Sequence, residues 1–254
     1  MRTAIGNFGG GLSSLSAVDL GVQCLTGLLA LHPALKEAVD LVVCGNVLGA
    51  GQGQNMARQI AVKSGLPDNV PAFTVGHVCG SAMQSIITGM MHIQTGQADI
   101  VIAGGVESMS NAPFIVPNHR WGHKMGHHQF VDTMISDGLW DAFNNIHMGI
   151  TAENVAKQWG VSRQQQDEFA FQSQQKASRA QHAGIFAEEI LPVKVKSRRT
   201  TAVIEKDEFI RHDCQLDALA KLRPVFDSEG SVTAGNASGL NDGAAFVVLL
   251  SEKK

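Results

Sequence analysis

Cysteine is scarce in this chain of 254 residues: Cys24, Cys44, Cys79 and Cys214 are widely spaced, with no CxxC pair and no histidine at zinc-finger spacing. That argues against a disulfide framework or a structural zinc site, and a reducing cytoplasm is the expected compartment. Charge is sparse at 17% and balanced, with 20 basic against 23 acidic residues and a formal net charge of -3. A balance of this kind does not supply the broad positive field that nucleic-acid binding draws on. Nowhere does an apolar run reach the roughly 18 to 20 residues of a membrane span. The first thirty residues open on Arg2 and early glycines rather than on a basic segment feeding an apolar one, so no signal peptide is expected. There is no tandem repeat, no GxxxxGK[ST] match, and the glycines of VLGAGQGQN do not reproduce GxGxxG between a strand and a helix, which makes nucleotide sites poor candidates.

What is present is a glycine-rich globular composition, 27 Gly against 7 Pro with 44% apolar residues, and enough length for one to two domains. AVDLGVQCLTGLLAL at 17–31 has apolar residues at helical spacing and closes at His32-Pro33. DLVVCGNVLG at 40–49 reads as a strand and glycine turn, followed by a helix in GQNMARQIAVKSGL at 53–66. The cycle recurs as a strand in PAFTVGHV at 71–78, an apolar helix in CGSAMQSIITGMMHIQTG at 79–96 and a short buried strand in ADIVIAGG at 98–105. Strands alternating with helices imply a mainly parallel sheet covered on both sides. From about 111 to 147 periodicity weakens, as in an insertion or a loop-rich second domain. A long helix then follows, capped by Ser162, finished near Gly184 and with its polar face solvated. KVKSRRT at 194–200 reads as an exposed strand or turn, and GAAFVVLL at 243–250 as a late core strand. The expected class is therefore α/β, a doubly wound mixed sheet between helices with an inserted loop-rich α/β domain. The expected boundaries are 1–113, 114–232 for the insertion, and 233–254 for the return.

Cys79 follows a strand and precedes a helix, where unpaired N–H groups and the helix dipole stabilise a thiolate. Neighbouring N–H groups offer a cradle for an acyl oxygen. The competing reading is an inert buried thiol, and it is the preferred one for Cys24, Cys44 and Cys214. A base for the thiol is not named by spacing: His77 shares a face with Cys79 only if the strand runs on through it. His119, His123, His127 and His128 are dense enough to suggest metal binding, but read more simply as solvated loop histidines. His147, before a helix expected to open at Thr151, is either a ligand contact or a cap. In GGVESMSNAP at 104–113 the two leading glycines read as turn residues beyond a strand end and Glu107 as a structural anchor. TAGNASGLNDGAA at 233–245 crowds small and polar residues that either line a polar ligand or form a tight backbone crossing.

Several of these segments together resemble the thiolase family, and most closely its short-chain acetyl-CoA acetyltransferases. The match runs in order through RTAIGNFGG at 2–10, GNVLGAGQGQNMARQ at 45–59, VCGSAMQSI at 78–86, AGGVESMSNAP at 103–113, DGLWDAF at 137–143, HMGITAEN at 147–154, LRPVF at 222–226 and TAGNASGLNDGAA at 233–245. The resemblance implies that Cys79 attacks an acyl-CoA and carries the acyl group as a thioester. It implies that His147 and Met148 line the acyl and pantetheine region, that Leu139 and Phe226 form apolar walls, and that Ala234, Gly235 and Ser238 approach the pantetheine chain. The implied substrates are acyl-CoA and CoA, with no metal or redox cofactor, and the implied assembly is a homodimer or tetramer. The sequence departs from the family at Gly76-His77, where a polar pair is usual, and at Ala82, where glycine is common. The family's second half carries a catalytic His in a GHP-type motif, an Asn in an NEAFA-type motif and a second Cys in a CxGG-type motif, none of which occurs in this sequence. The short strand expected just before RTAIG, read as central to the sheet, is also absent. The three competing accounts are a thiolase-type acyltransferase, a catalytically incomplete relative that binds CoA or pairs with related subunits, and an unrelated Cys-dependent hydrolase.

Overall fold

A computed structural model describes residues 1–122, 124–196 and 200–253. Packing divides the chain into two compact units: Met1–Met134 with Glu189–Glu208 and Leu240–Lys254, and Ile135–Glu188 with Phe209–Gly239. The first is built on β1 (Gly6–Asn7), α1 (Ala17–Leu31), β2 (Leu41–Gly45), α2 (Met56–Lys63), β3 (Ala72–Val75), α3 (Ser81–Gln94) and β4 (Ile100–Ser108). The main helices of the second unit are α4 (Met148–Trp159) and α5 (Arg163–His182), after which the chain returns to the first unit as β5 (Asn241–Leu250). No helix among the described residues is long and apolar enough to cross a membrane.

The sheet order is β1-β5-β4-β2-β3, with β2 parallel to β3 and β4, and β5 antiparallel to both β4 and β1. This is the expected α/β mixed sheet. Every residue of β2 is buried, as a strand covered on both faces must be. Its side chains alternate between two apolar layers. Val42 and Cys44 join Leu20, Cys24, Leu25 and Ile60 of α1 and α2, while Leu41 and Val43 join Val101, Phe73 and Ile93. Gly45 continues the second series and therefore faces α3.

The N-terminal segment pairs along β5, where Thr3 N donates to Ala244 O and Phe246 N to Met1 O, while on its other side Arg2 N donates to Glu189 O and Leu191 N to Arg2 O. One correction concerns Gly104 and Gly105. They sit inside β4, which runs on to Ser108, and they serve close approach rather than a turn. A Cβ on Gly104 would lie 2.0 Å from the Ala245 carbonyl oxygen, and one on Gly105 would lie 2.8 Å from the Ala82 methyl carbon.

Within the first unit, Arg2 pairs with Glu189 at 2.8 Å and with Asp207 at 2.7 Å, and Val193–Lys196 pairs antiparallel with Thr201–Ile204. Residues 197–199 of the KVKSRRT stretch lie outside the described residues, as does His123.

In the second unit α5 begins at the expected cap, with Ser162 and Gln165 forming a reciprocal capping box. Its polar face is not wholly solvated, however. Asp167 is 2% exposed while Phe169 is 78% exposed, the reverse of what hydrophobicity alone assigns.

Candidate active site

Strand β3 ends at Val75, so it does not carry His77 and Cys79 on a common face. The chain instead makes a tight turn into α3, with Gly80 N donating to His77 O and Ser81 N to Val78 O, both at 3.0 Å. Val78 has φ +46°, a left-handed value that costs a β-branched residue energy and that surrounding contacts must enforce. The turn projects Cys79 from the protein surface, and it is the only exposed cysteine of the four.

The other three thiols are buried. Burial pushes Cys24 up to about 11 and Cys44 up to about 12, the Glu107 carboxylate adding to the rise at Cys44. Neither forms a thiolate near neutrality, and the thiolate is the attacking form. Brief treatment of the folded chain with iodoacetamide at neutral pH is therefore expected to label Cys79 alone, with the other three labelled only in denaturant. Peptide mass spectrometry reads the pattern, and equal labelling of Cys44 in the folded chain would contradict it.

Two elements hold α3 against the sheet just behind Cys79. A Cβ on Gly45 would lie 2.4 Å from the Ser81 carbonyl carbon and 2.5 Å from Ala82 N, so glycine is what lets the helix start come this close. Ser85, fully buried, accepts from Gly104 N at 2.9 Å and donates toward Gly104 O at 2.7 Å. Glu107 behaves as an anchor. It accepts from Asn46 Nδ2, Val47 N and Leu48 N at 2.9 to 3.1 Å and so fixes the loop after β2. Its carboxyl is held above the usual range by desolvation, which outweighs these bonds. Asn111 is likewise structural, donating to Ser13 O, Leu15 O and Ser108 Oγ.

The remaining expected site residues, Leu139, His147, Met148, Phe226, Ala234, Gly235 and Ser238, belong to the second unit. Leu139 ends a π-helical turn over Met134–Leu139. Helix α4 opens at Met148 rather than Thr151, with His147 as its cap: His147 Nδ1 accepts from Gly149 N at 2.9 Å. That bond leaves Nε2 as the protonated nitrogen of the neutral ring, a donor rather than a base. The imidazole stacks on Phe226 with centroids 4.7 Å apart and meets Trp140 edge-on at 6.4 Å. Gly149 makes the stack possible, since a Cβ there would fall 2.2 Å from the Phe226 ring. Met148, Ala234 and Ser238 are exposed, and Gly235 packs against Leu219 and Leu222.

Residues that sequence reasoning passes over fix the 231–238 loop. Glu153 accepts from Ser231 N, Ser231 Oγ and Val232 N at 2.7 to 3.0 Å. Asp167 accepts from Asn236 Nδ2 at 2.9 Å and from Arg163 Nε at 2.7 Å, and Asn236 Oδ1 in turn accepts from Thr233 N. The signal available in the sequence is the i, i+4 spacing of Arg163 and Asp167 on one helix face. Elsewhere in the first unit, His119 and His128 meet edge-on at 5.1 Å. Among the described residues no group of three or more His, Cys, Asp or Glu is placed to hold a metal ion.

A five-stranded mixed sheet, with an exposed thiol on a strained turn into a helix whose start packs against Gly45 of β2, defines an α/β protein with one exposed cysteine among its four. The model of the thiolase N-terminal domain matches residues 1–253, and the chain belongs to the thiolase family. It is 54% identical over its whole length to an acetyl-CoA acetyltransferase of Allochromatium vinosum and 53% identical to one of Chromobacterium violaceum, covering 64% and 65% of those proteins. It superposes with a TM-score of 0.96 on the crystal structure of the Bacillus anthracis acetyl-CoA acetyltransferase, at 41% identity, covering all of this chain and 64% of that one. The chain thus spans slightly less than two thirds of the length of these relatives.

Proposed function

We propose that this chain carries the acyl-accepting part of a thiolase-type acyltransferase, with acetyl-CoA C-acetyltransferase chemistry. In the first half-reaction the Cys79 thiolate adds to the carbonyl of acetyl-CoA. The tetrahedral adduct collapses with loss of the CoA thiolate, and the acetyl group remains as a thioester on Cys79. In the second, a further acetyl-CoA loses an α-proton to a base, its carbanion attacks the acetyl-enzyme, and the Cys79 thiolate leaves as acetoacetyl-CoA forms. The observation that carries this reading is the exposure of Cys79 alone, on a left-handed turn directly ahead of α3. His147, Met148, Leu139, Phe226, Ala234, Gly235 and Ser238 are the proposed contacts to the acyl and pantetheine portions. A neutral His147, with Nε2 protonated, suits a hydrogen bond to an amide or carbonyl oxygen.

A second reading is that the residues of this chain bind CoA or pair with related subunits without sustaining turnover by themselves, in keeping with their covering 64% of the relative's length. Intact mass spectrometry of the chain incubated with acetyl-CoA distinguishes the two. The expected result is slow acetylation, abolished in Cys79→Ala, without sustained formation of acetoacetyl-CoA. Steady turnover lost on Cys79→Ala would instead establish full catalysis within these residues. No adduct on a Cys79 that iodoacetamide still labels would overturn acyl transfer. Assembly into a homodimer or tetramer is part of the same proposal, supported by the exposed Val78, Met83, Met90 and Met91 on and beside α3. Sedimentation velocity showing only monomer at micromolar concentration would exclude it for this chain.

A further inference from the structure

We propose that Ser81 is a positioning residue for Cys79, holding the turn that presents the thiol in a conformation the backbone does not adopt unaided. The inference rests on Cys79 being the nucleophile and concerns what keeps it in place. Ser81 is 3% exposed, and its side chain makes two short bonds back across the turn. Its Oγ accepts from His77 N at 2.8 Å and donates to Val78 O at 2.6 Å. A single hydroxyl therefore clamps both sides of the Val78 peptide, the residue at φ +46°. Valine is among the least tolerant residues at positive φ, and such a residue stays there only when its surroundings over-determine it.

The two backbone bonds of the turn hold only its carbonyl groups. They fix His77 O and Val78 O but leave the His77 N–H to the serine alone. The Ser81 backbone in turn packs directly against Gly45 in the buried strand β2. Position passes from the sheet to the helix start, from the helix start to the hydroxyl, and from the hydroxyl to the strained peptide that carries Cys79. Without the hydroxyl, Val78 relaxes toward an ordinary conformation and the sulfur samples orientations in which attack does not occur.

The test measures the second-order rate of Cys79 alkylation by iodoacetamide and the rate of its acetylation by acetyl-CoA, on the full 254-residue chain. Ser81→Ala is expected to slow both by on the order of tenfold, with the far-UV spectrum retained. Asparagine tolerates left-handed backbone, so Ser81→Ala/Val78→Asn is expected to recover most of the lost rate. A loss of thermal stability in Ser81→Ala with unchanged alkylation would reduce Ser81 to a purely structural role and overturn the proposal. A rate that falls and is not recovered by Val78→Asn would overturn it too. One measurement needs no variant: the His77 amide, although on an exposed residue, is expected to be protected from hydrogen exchange, and exchange at the rate of an unstructured peptide would count against the clamp. If alkylation follows the expected pattern but acetyl-CoA never modifies the parent chain, the acyl-transfer reading fails and the clamp stands.

Discussion

Gly45→Ala is expected to destabilise the first unit by about 3 kcal/mol and to slow Cys79 alkylation by on the order of a hundredfold. The added methyl group has no flexible neighbour to displace. The three nearest atoms, at 2.4 to 2.6 Å, are the Ser81 carbonyl carbon and oxygen and Ala82 N, all in the first turn of α3. Restoring ordinary van der Waals separation requires α3 to withdraw by roughly 1 Å, a displacement large enough to disable a catalytic group. Its withdrawal also disturbs the Ser85 bonds to Gly104 and the contact of Ala82 with Gly105. Gly76→Ala is the matched control. It lies three residues before the nucleophile, and a Cβ added there would meet nothing within 4 Å, so its expected cost is under about 0.5 kcal/mol. Urea unfolding and the alkylation rate check both variants. Equal behaviour of the two would show that packing of α3 on β2 does not hold the thiol.

The layers of the first unit are legible in the sequence because each strand is a short apolar run bounded by glycine, and the helices between them have periodic apolar residues. Leu41–Gly45 and Ile100–Ser108 fall within a few residues of the expected runs. The order of the strands is less so. Nothing in RTAIG says which strand it pairs with, and its pairing along β5 appears only in the fold. Glycines are similarly ambiguous. A glycine required for positive φ and one required for close approach are the same letter, and for Gly104 and Gly105 the turn reading is the wrong one of the two. Cys79 can be singled out by its place between strand and helix, but the clamp by Ser81 cannot. It depends on Val78 being left-handed, a conformation its side chain disfavours and the sequence therefore conceals. Asp167 is obscured for a related reason. Exposed carboxylates on helices are common, and its burial becomes evident only where Asn236 and Arg163 satisfy it.

Asp167→Ala is expected to cost the second unit about 3 to 5 kcal/mol, the range for removing one partner of a buried ion pair. The Asp167 side chain is 3% exposed and that of Arg163 26%. The carboxylate joins two structures, taking Arg163 Nε on one oxygen and Asn236 Nδ2 on the other. Its removal leaves a partly buried guanidinium satisfied only by the carbonyl groups of Leu219, Ala220 and Leu222. Asn236 Nδ2 also loses one of its two acceptors, keeping the Ser231 carbonyl, so the side-chain oxygen that accepts from Thr233 N is less firmly oriented. The loop carrying Ala234, Gly235 and Ser238 is then held mainly from its other end, where Glu153 binds Ser231 and Val232. Asp167→Asn separates the two effects, because its amide oxygen can still accept from one partner while the charge that pairs with Arg163 is gone. Its expected cost is smaller than that of alanine. Hydrogen exchange across 231–238 should therefore quicken in the order parent, Asp167→Asn, Asp167→Ala, in step with falling unfolding midpoints. If the loop binds the pantetheine chain as proposed, CoA affinity weakens in the same order while the alkylation rate of Cys79 is unchanged. A stability loss confined to α5, with exchange in the loop unaltered, would show that Asn236 does not depend on Asp167.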